Sequence, residues 1–345
     1  MSKLQGIQPN PRPPSPESPL RAWNDRSETL VLPASSIDTL PSEQMLLLGQ
    51  PFTRNEALER GLSRDVLARL VREGELRRVL TGVYIDSAAP DTLTMRAAAL
   101  AKIAPEHSVI CDRTAAWLLG ADVLGPESHN VIPPVDVFRL RGDNRLRRSG
   151  CRAGTRTLDR RLDLTYANGL LTTNALRTAL DLGRFLRRDD ALAALDALLR
   201  VGGLTTDDLT RQLPRFRGHR GVVQLRELVP LADPRAESAS ESVSRLRLID
   251  GGLPAPEIQW ELRTSYGVVR FRLDMAYPDI KLAVEYDGRE FHSSAAARAR
   301  DNSRRAALRR EGWTFVILTR DDVYGDSPRA AAKVRETRDR LIRGA

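Results

Sequence analysis

Sulfur is scarce in this sequence: only Cys111 and Cys151 occur in 345 residues, far apart and without a CxxC or Cys/His cluster. That excludes a disulfide framework and a structural zinc site, and the two read as reduced, buried thiols. Long apolar runs are missing too. None approaches the ~20 residues of a membrane helix, and Met1-Ser2-Lys3-Leu4 leads into proline-rich polar sequence instead of a signal-peptide core. A soluble, cytoplasmic protein with no membrane association is expected. Lysine is also rare, so the 54 basic residues set against 45 acidic ones, a net charge of +9, are almost wholly arginine. The planar guanidinium fork suits phosphate, which makes polyanions the natural partner class, although solvated helix faces produce the same balance.

With 41% hydrophobic residues the chain is long enough for two or three domains, each with its own core. Residues 1–40 carry PNPRPPSPESP and few large apolar groups, the composition of a disordered tail. Residues 41–90 hold three short amphipathic segments, MLLLG, TRNEALERG and SRDVLARLVREG. In the third, Ser63 is placed to cap, Leu62 and Leu67 to form the staple, and Gly74 to stop the helix. Val66, Leu67, Leu70 and Val71 form its apolar stripe, and Arg64, Arg69 and Arg72 the opposite face. Leu76 to Ile85, broken at Thr81-Gly82, reads as a hairpin bearing Arg77 and Arg78. The set spells a winged helix-turn-helix.

Residues 91–234 are dominated by Ala/Leu-rich stretches such as TMRAAALAKIA and DDALAALDALLRVGG, and predict a mainly helical middle domain, with VIPPVDVFRL as a short sheet at most. His107 and His129 have no spaced partners there, and Trp117 reads as core. Pro230, Asp233 and Pro234 mark the border of a last domain, 235–345.

The last domain carries the chemistry. A helix starts near Ser238 and ends at Gly251-Gly252. In the strand that follows, Arg270, Arg272 and Asp274 share one face, and Val269, Phe271 and Leu273 the other. After a turn at Tyr277-Pro278-Asp279, IKLAVEYDG puts Lys281, Ala283, Glu285 and Asp287 on one side. A hairpin then brings Asp274 and Glu285 together, hard oxygen donors suited to Mg²⁺ or Mn²⁺. Strand-end ion pairs with Arg270 or Arg272 are the alternative for both acids.

Residues 268–324, with VRFRLDMAYPDIKLAVEYDGREFH and then RARDNSRRAALRREGWTFVILTRDDV, resemble the very-short-patch-repair branch of the PD-(D/E)XK endonucleases. The resemblance implies a metal-dependent DNA endonuclease with an α/β restriction-endonuclease-like fold. It implies Asp274, Glu285 and the Tyr286 carbonyl as metal ligands, Glu241 as an extra ligand, and His292 near the water or phosphate. Asp301, Asn302 and Arg304 or Arg305 would come from the following helix, with an arginine clamping the phosphate. Two positions depart from the pattern: Asp287 stands where the superfamily has Lys, for which Lys281 is a candidate substitute, and the repair enzyme's zinc cysteines are absent. Each acid also has a plainer reading. Glu241 completes a capping box with Ser238, Asp287-Gly288 is a turn pair, and Asp301 with Arg305 is an i,i+4 pair.

Residues 43–86 resemble the winged-helix domain of AbiEi-type antitoxins of type IV toxin–antitoxin systems. That likeness implies a partner toxin, with Arg64, Arg69 and Arg72 at the major groove and Arg77 and Arg78 on phosphate. The sequence thus predicts a multidomain α+β protein: a winged helix-turn-helix, a helical middle and an endonuclease-like end. An inactive nuclease fold serving a DNA-binding regulator is the second reading.

Overall fold

The structure is a computed structural model and describes residues 49–121, 123, 134–141, 151–287, 295–325 and 329–344. The expected tail, most of MLLLG, His129 and His292 lie outside the described residues. The described chain is mixed α+β with three sheets, and none of its helices is long and apolar enough to cross a membrane.

The first sheet has the order β1-β3-β2, with β1 at Phe52–Thr53, β2 at Leu76–Leu80 and β3 at Val83–Asp86. It packs with α1 (Arg54–Glu59) and α2 (Arg64–Arg72) around Phe52, Ala57, Leu62, Leu67, Leu70 and Leu76. The local signals act as expected. Ser63 Oγ accepts the Val66 N–H at 3.2 Å, and Gly74 takes φ +79° just past α2, where a Cβ would be strained. The β2–β3 hairpin turns at Thr81-Gly82.

The middle region departs from the helical expectation. After α3 (Leu93–Ala101), the described residues between 109 and 173 include a five-stranded sheet of order β6-β5-β4-β8-β7 and α4 (Asp112–Leu118). Its strands are β4 (Val109–Ile110), β5 (Val135–Leu140), β6 (Cys151–Arg156), β7 (Leu164–Ala167) and β8 (Leu170–Thr173). Apart from β5, which lies in the expected VIPPVDVFRL segment, they are short, and β6, β7 and β8 carry Arg, Gly or Thr, so little apolar alternation marks them. The expectation of helices holds from α5 (Ala175–Phe185) and α6 (Arg188–Gly202) through α7 (Thr206–Gln212) to α8 (Val222–Leu228), which enclose a core of Leu180, Leu192, Leu195, Leu198 and Leu225. Cys111 is buried and Cys151 half-buried, and the two are not joined in a disulfide.

The last sheet has the order β12-β11-β10-β9. It comprises β9 (Glu257–Arg263), β10 (Val269–Tyr277), β11 (Leu282–Tyr286) and β12 (Thr314–Leu318), flanked by α9 (Ala239–Asp250), α10 (Ala295–Arg310), α11 (Arg320–Tyr324) and α12 (Ala330–Gly344). β10 and β11 are the expected antiparallel pair, whereas β11 and β12 run parallel with α10 in the crossover between them. Helix α9 ties this sheet to the middle region. Leu246 enters the middle core, Val243 and Leu248 enter the core of the sheet, and Arg245 donates to buried Asp196 at 2.8 Å.

Candidate active site

The register of β10 on β11 runs Tyr277↔Leu282, Ala276↔Ala283, Met275↔Val284. Carried one step further it sets Asp274 opposite Glu285, where the pairing ends. On its other side the β9 register sets Asp274 opposite Gln259, between the pairs Leu273↔Trp260 and Met275↔Ile258. Gln259 has φ +52°, a left-handed backbone rare for a residue with a side chain. The expected alternation of β10 also breaks here. Phe271, Leu273 and Ala276 belong to one core cluster, and Met275 and Tyr277 to the other, so the strand changes face around Asp274. Backbone held in such a conformation is characteristic of functional sites.

Four side chains form a row across this end of the sheet. Glu241, in the first turn of α9, accepts from Ser238 Oγ at 2.9 Å, from the Glu237 N–H at 3.0 Å and from Gln259 Nε2 at 2.9 Å. Ser238 Oγ caps α9 by accepting the Glu241 N–H at 3.2 Å, but the reciprocal bond falls on the Glu237 N–H instead of that of Ser238, so the expected capping box is only half made, and Gln259 adds a third donor to the Glu241 carboxylate. Glu285 is 3% exposed, and each of its oxygens takes one guanidinium: Arg304 Nη2 at 2.7 Å on Oε1 and Arg305 Nε at 2.8 Å on Oε2. The expected i,i+4 role of Arg305 with Asp301 gives way to this contact. Asp274 differs from its neighbours, because it is half-buried and makes no hydrogen bond or ion pair among the described residues. Burial, then the charges of Glu241 and Glu285, push its carboxyl up to about 6, while Arg304 pulls it down and Glu237 adds to the rise.

The remaining expected residues fall around this row. Asp287 is half-buried just past β11, its N–H donating to the Leu318 carbonyl at 2.8 Å, and Asp301 is half-buried on α10. The Tyr286 ring stands edge-on to Tyr324 at 6.3 Å. Lys281 does not substitute for the missing Lys: it lies at the opposite end of β11 from Glu285, with Nζ on the Glu311 carbonyl at 3.1 Å. Sharing a strand face does not amount to sharing a strand end. The cation at Glu285 comes instead from α10. Gln259 was not anticipated at all, since neither its backbone conformation nor its reach to Glu241 leaves a pattern in IQWEL.

Among the described residues no three His, Cys, Asp or Glu side chains stand close enough to hold a metal ion as they are placed. The donor types nevertheless fit a hard divalent cation. Burial, and then the carboxylates of Glu241 on α9 and Glu285 on β11, raise Asp274, which pairs with no cation among the described residues. What closes the arrangement is the arginine pair on Glu285.

On the amino-terminal unit, Arg64, Arg72 and Arg78 are exposed. Arg69 does not share their full exposure: it is half-buried, with a shielded Nε that finds no hydrogen-bond partner. Arg77 donates to the Ala89 carbonyl at 3.0 Å.

Comparison with known proteins adds to this geometry. Residues 256–337 match the restriction-endonuclease model REase_MTES_1575, and residues 108–231 match the AbiEi antitoxin C-terminal domain. Two proteins of Mycobacterium tuberculosis are each 39% identical to the chain over 280 residues, which covers 81% of this chain and 98% of theirs. They are Uncharacterized protein MT2308 of strain CDC 1551 / Oshkosh and Uncharacterized protein Rv2248 of strain ATCC 25618 / H37Rv. The chain belongs to their family. Its carboxy-terminal region is a restriction-endonuclease-like domain, and the strand pair carrying Asp274 and Glu285 lies inside it. An antitoxin-family likeness is thus shown, but on residues 108–231, the sheet and helices that follow the winged segment; the match does not extend to residues 43–86.

Proposed function

We propose that the protein is a DNA endonuclease whose carboxy-terminal domain hydrolyses a phosphodiester with the aid of Mg²⁺ or Mn²⁺, docked on DNA by the amino-terminal winged helix. The observation that carries this reading is Asp274, a carboxylate without a hydrogen-bond or ion-pair partner among the described residues, at a break in strand alternation and flanked by Glu241 and Glu285. Asp274 and Glu285 would hold the cation, with Glu241 kept in range by Gln259. When bound, such an ion lowers the pKa of a water and offsets charge on the phosphate. Arg304 and Arg305 provide guanidinium groups for phosphate oxygens, and Asp287, Asp301 and His292 are proposed as further members of the site. Arg64, Arg72 and Arg78 offer exposed charge to the DNA backbone.

Plasmid cleavage by purified protein with Mg²⁺, Mn²⁺ or EDTA tests the reading. Ion-dependent nicking that is lost in Asp274→Ala is expected. Ion-independent DNA binding with no cleavage of any substrate would overturn it.

A second reading is supported by the antitoxin-domain match at 108–231. Under it the chain is a DNA-binding regulator with a partner toxin, and the endonuclease-like domain serves as a binding module. Co-purification with a toxin, together with cleavage-free binding at a discrete site, would favour it.

A further inference from the structure

We propose that Arg304 and Arg305 form a latch on Glu285 which DNA phosphate opens, so that the metal site assembles only when DNA is bound. This rests on the reading of the site as a nuclease centre. Its basis is the way the two arginines are used. They are adjacent on α10, yet both turn to one carboxylate, Arg304 through Nη2 and Arg305 through Nε, and together they take both oxygens of Glu285. Arg304 Nη1 also lies 3.4 Å from the Arg272 carbonyl on β10, so the latch spans the two strands that carry the acids.

A divalent cation reaching Glu285 in this state has either to displace a guanidinium or to share a carboxylate oxygen with one, and in both cases stands beside two positive charges. A carboxylate so occupied is a poor ligand, although its residue type is a good one. The arginines are not sealed in, however. Their side chains are 25% and 17% exposed against 3% for Glu285, so they form the solvent side of the contact. A phosphate oxygen is an equivalent acceptor for a guanidinium. In the exchange each N–H moves from carboxylate to phosphate, and the freed carboxylate oxygen moves to the cation. No hydrogen-bonding group is left unpaired, and no isolated charge is left buried beside Asp274. Metal and DNA are thereby positively coupled, and each must raise the affinity for the other by the same factor. A nuclease built in this way carries no assembled hydrolytic centre when it is away from DNA.

Mn²⁺ binding by the full chain, read from loss of the free-ion electron paramagnetic resonance signal, provides the test. The samples are wild type, Asp274→Ala, and the pair Arg304→Gln with Arg305→Gln, each with and without a short duplex DNA. The Asp274→Ala sample with DNA supplies the background from ions held by the duplex itself. Expected are at least tenfold tighter Mn²⁺ binding by wild type when DNA is added, within the ~5–150-fold range usual for coupled sites, and tight binding without DNA in the double variant. Equal Mn²⁺ affinity of wild type with and without DNA, still abolished by Asp274→Ala, would overturn the latch and leave the metal site standing. Absence of Asp274-dependent Mn²⁺ binding in every sample would remove the nuclease reading and the latch together. Should the double variant not fold, wild type with and without DNA still decides between these outcomes.

Discussion

Two clusters of acids among arginines occupy this molecule, and they are built to opposite ends. In the middle region each buried aspartate of the main network takes at least one guanidinium, and Asp112, Asp163 and Asp181 are each shared between two or three. Asp181 accepts from Arg177 at 2.8 Å, from Arg156 at 3.2 Å and from Arg184. Asp163 accepts from Arg177 at 2.7 Å and from Arg215, and Asp112 takes Arg156 on both oxygens with Arg152 beside it. In the carboxy-terminal domain Glu285 is treated in the same way, but Asp274 on the neighbouring strand has no such partner among the described residues. A raised carboxyl does not separate the two clusters, because burial pushes Asp136 up to about 6 as well although Arg152 donates to it at 2.6 Å. The number of partners does. Much of the arginine among the described residues is thus structural, and Asp274 is set apart there by having no arginine hydrogen-bonded to it.

The comparison breaks most sharply on removal of one acid from each cluster. Asp181→Ala leaves Arg156, Arg177 and Arg184 facing a cavity, and loss of one member of a buried charged network costs about 3–5 kcal/mol. A drop in the thermal midpoint by several degrees is expected, with little of the middle region folding at high temperature. Asp274→Asn should act in the opposite direction. The native carboxyl titrates near 6 against 3.8 in the unfolded chain, so the folded state holds the proton more tightly, and stability is lost as pH rises through about 6. Asparagine carries no such penalty. Metal-free Asp274→Asn should therefore melt above wild type at pH 7.5, by no more than about 2–3 kcal/mol for a shift of this size, and match it below pH 4. Denaturation followed at both pH values checks the sign, and a destabilised Asp274→Asn at neutral pH would show that Asp274 is structural.

An intermediate effect is expected at the joint between the regions. Arg245→Met removes the guanidinium that pairs with Asp196 and bonds the Leu231 carbonyl, leaving Asp196 buried with only its remaining hydrogen bonds. Its loss should cost about 2–4 kcal/mol. Because α9 also positions Glu241, cleavage should fall even in the part of the population that stays folded. Parallel melting curves and plasmid nicking separate the two consequences, and full cleavage by the folded fraction would show that α9 transmits nothing to the site.

How much of this was legible follows from how far apart in sequence the contacts lie. The cap at Ser63, the stop at Gly74, the β10–β11 hairpin and the opposition of Asp274 to Glu285 all rest on near neighbours, and local patterns predicted them. The five-stranded sheet joins β4 to β8 across about sixty residues of chain through a bridge at Ile110 and Thr172, in strands too short to alternate. Even so, Asn168-Gly169, both at positive φ between β7 and β8, is a strong hairpin signal that a helical reading passes over. The turning of Arg304 and Arg305 onto Glu285 depends on the parallel crossover that lays α10 against the sheet, and nothing local encodes it. Lys281 shows the reverse case: it shares a strand face with Glu285 but stands at the other end of β11.

The smallest expected effect concerns Gln259, where backbone and side chain can be separated. Gln259→Asn keeps a residue type that tolerates the left-handed φ of +52° but shortens the side chain, so its amide no longer reaches Glu241 at the 2.9 Å seen here. Gln259→Gly relieves the backbone altogether and also removes the amide. If the conformation exists to aim the amide at Glu241, the two variants should stay within about 1 kcal/mol of wild type in stability and lose cleavage alike. If the bend itself aligns Asp274 between its neighbours, Gln259→Asn should retain most of the activity and Gln259→Gly should lose it, because only glycine frees the strand to straighten.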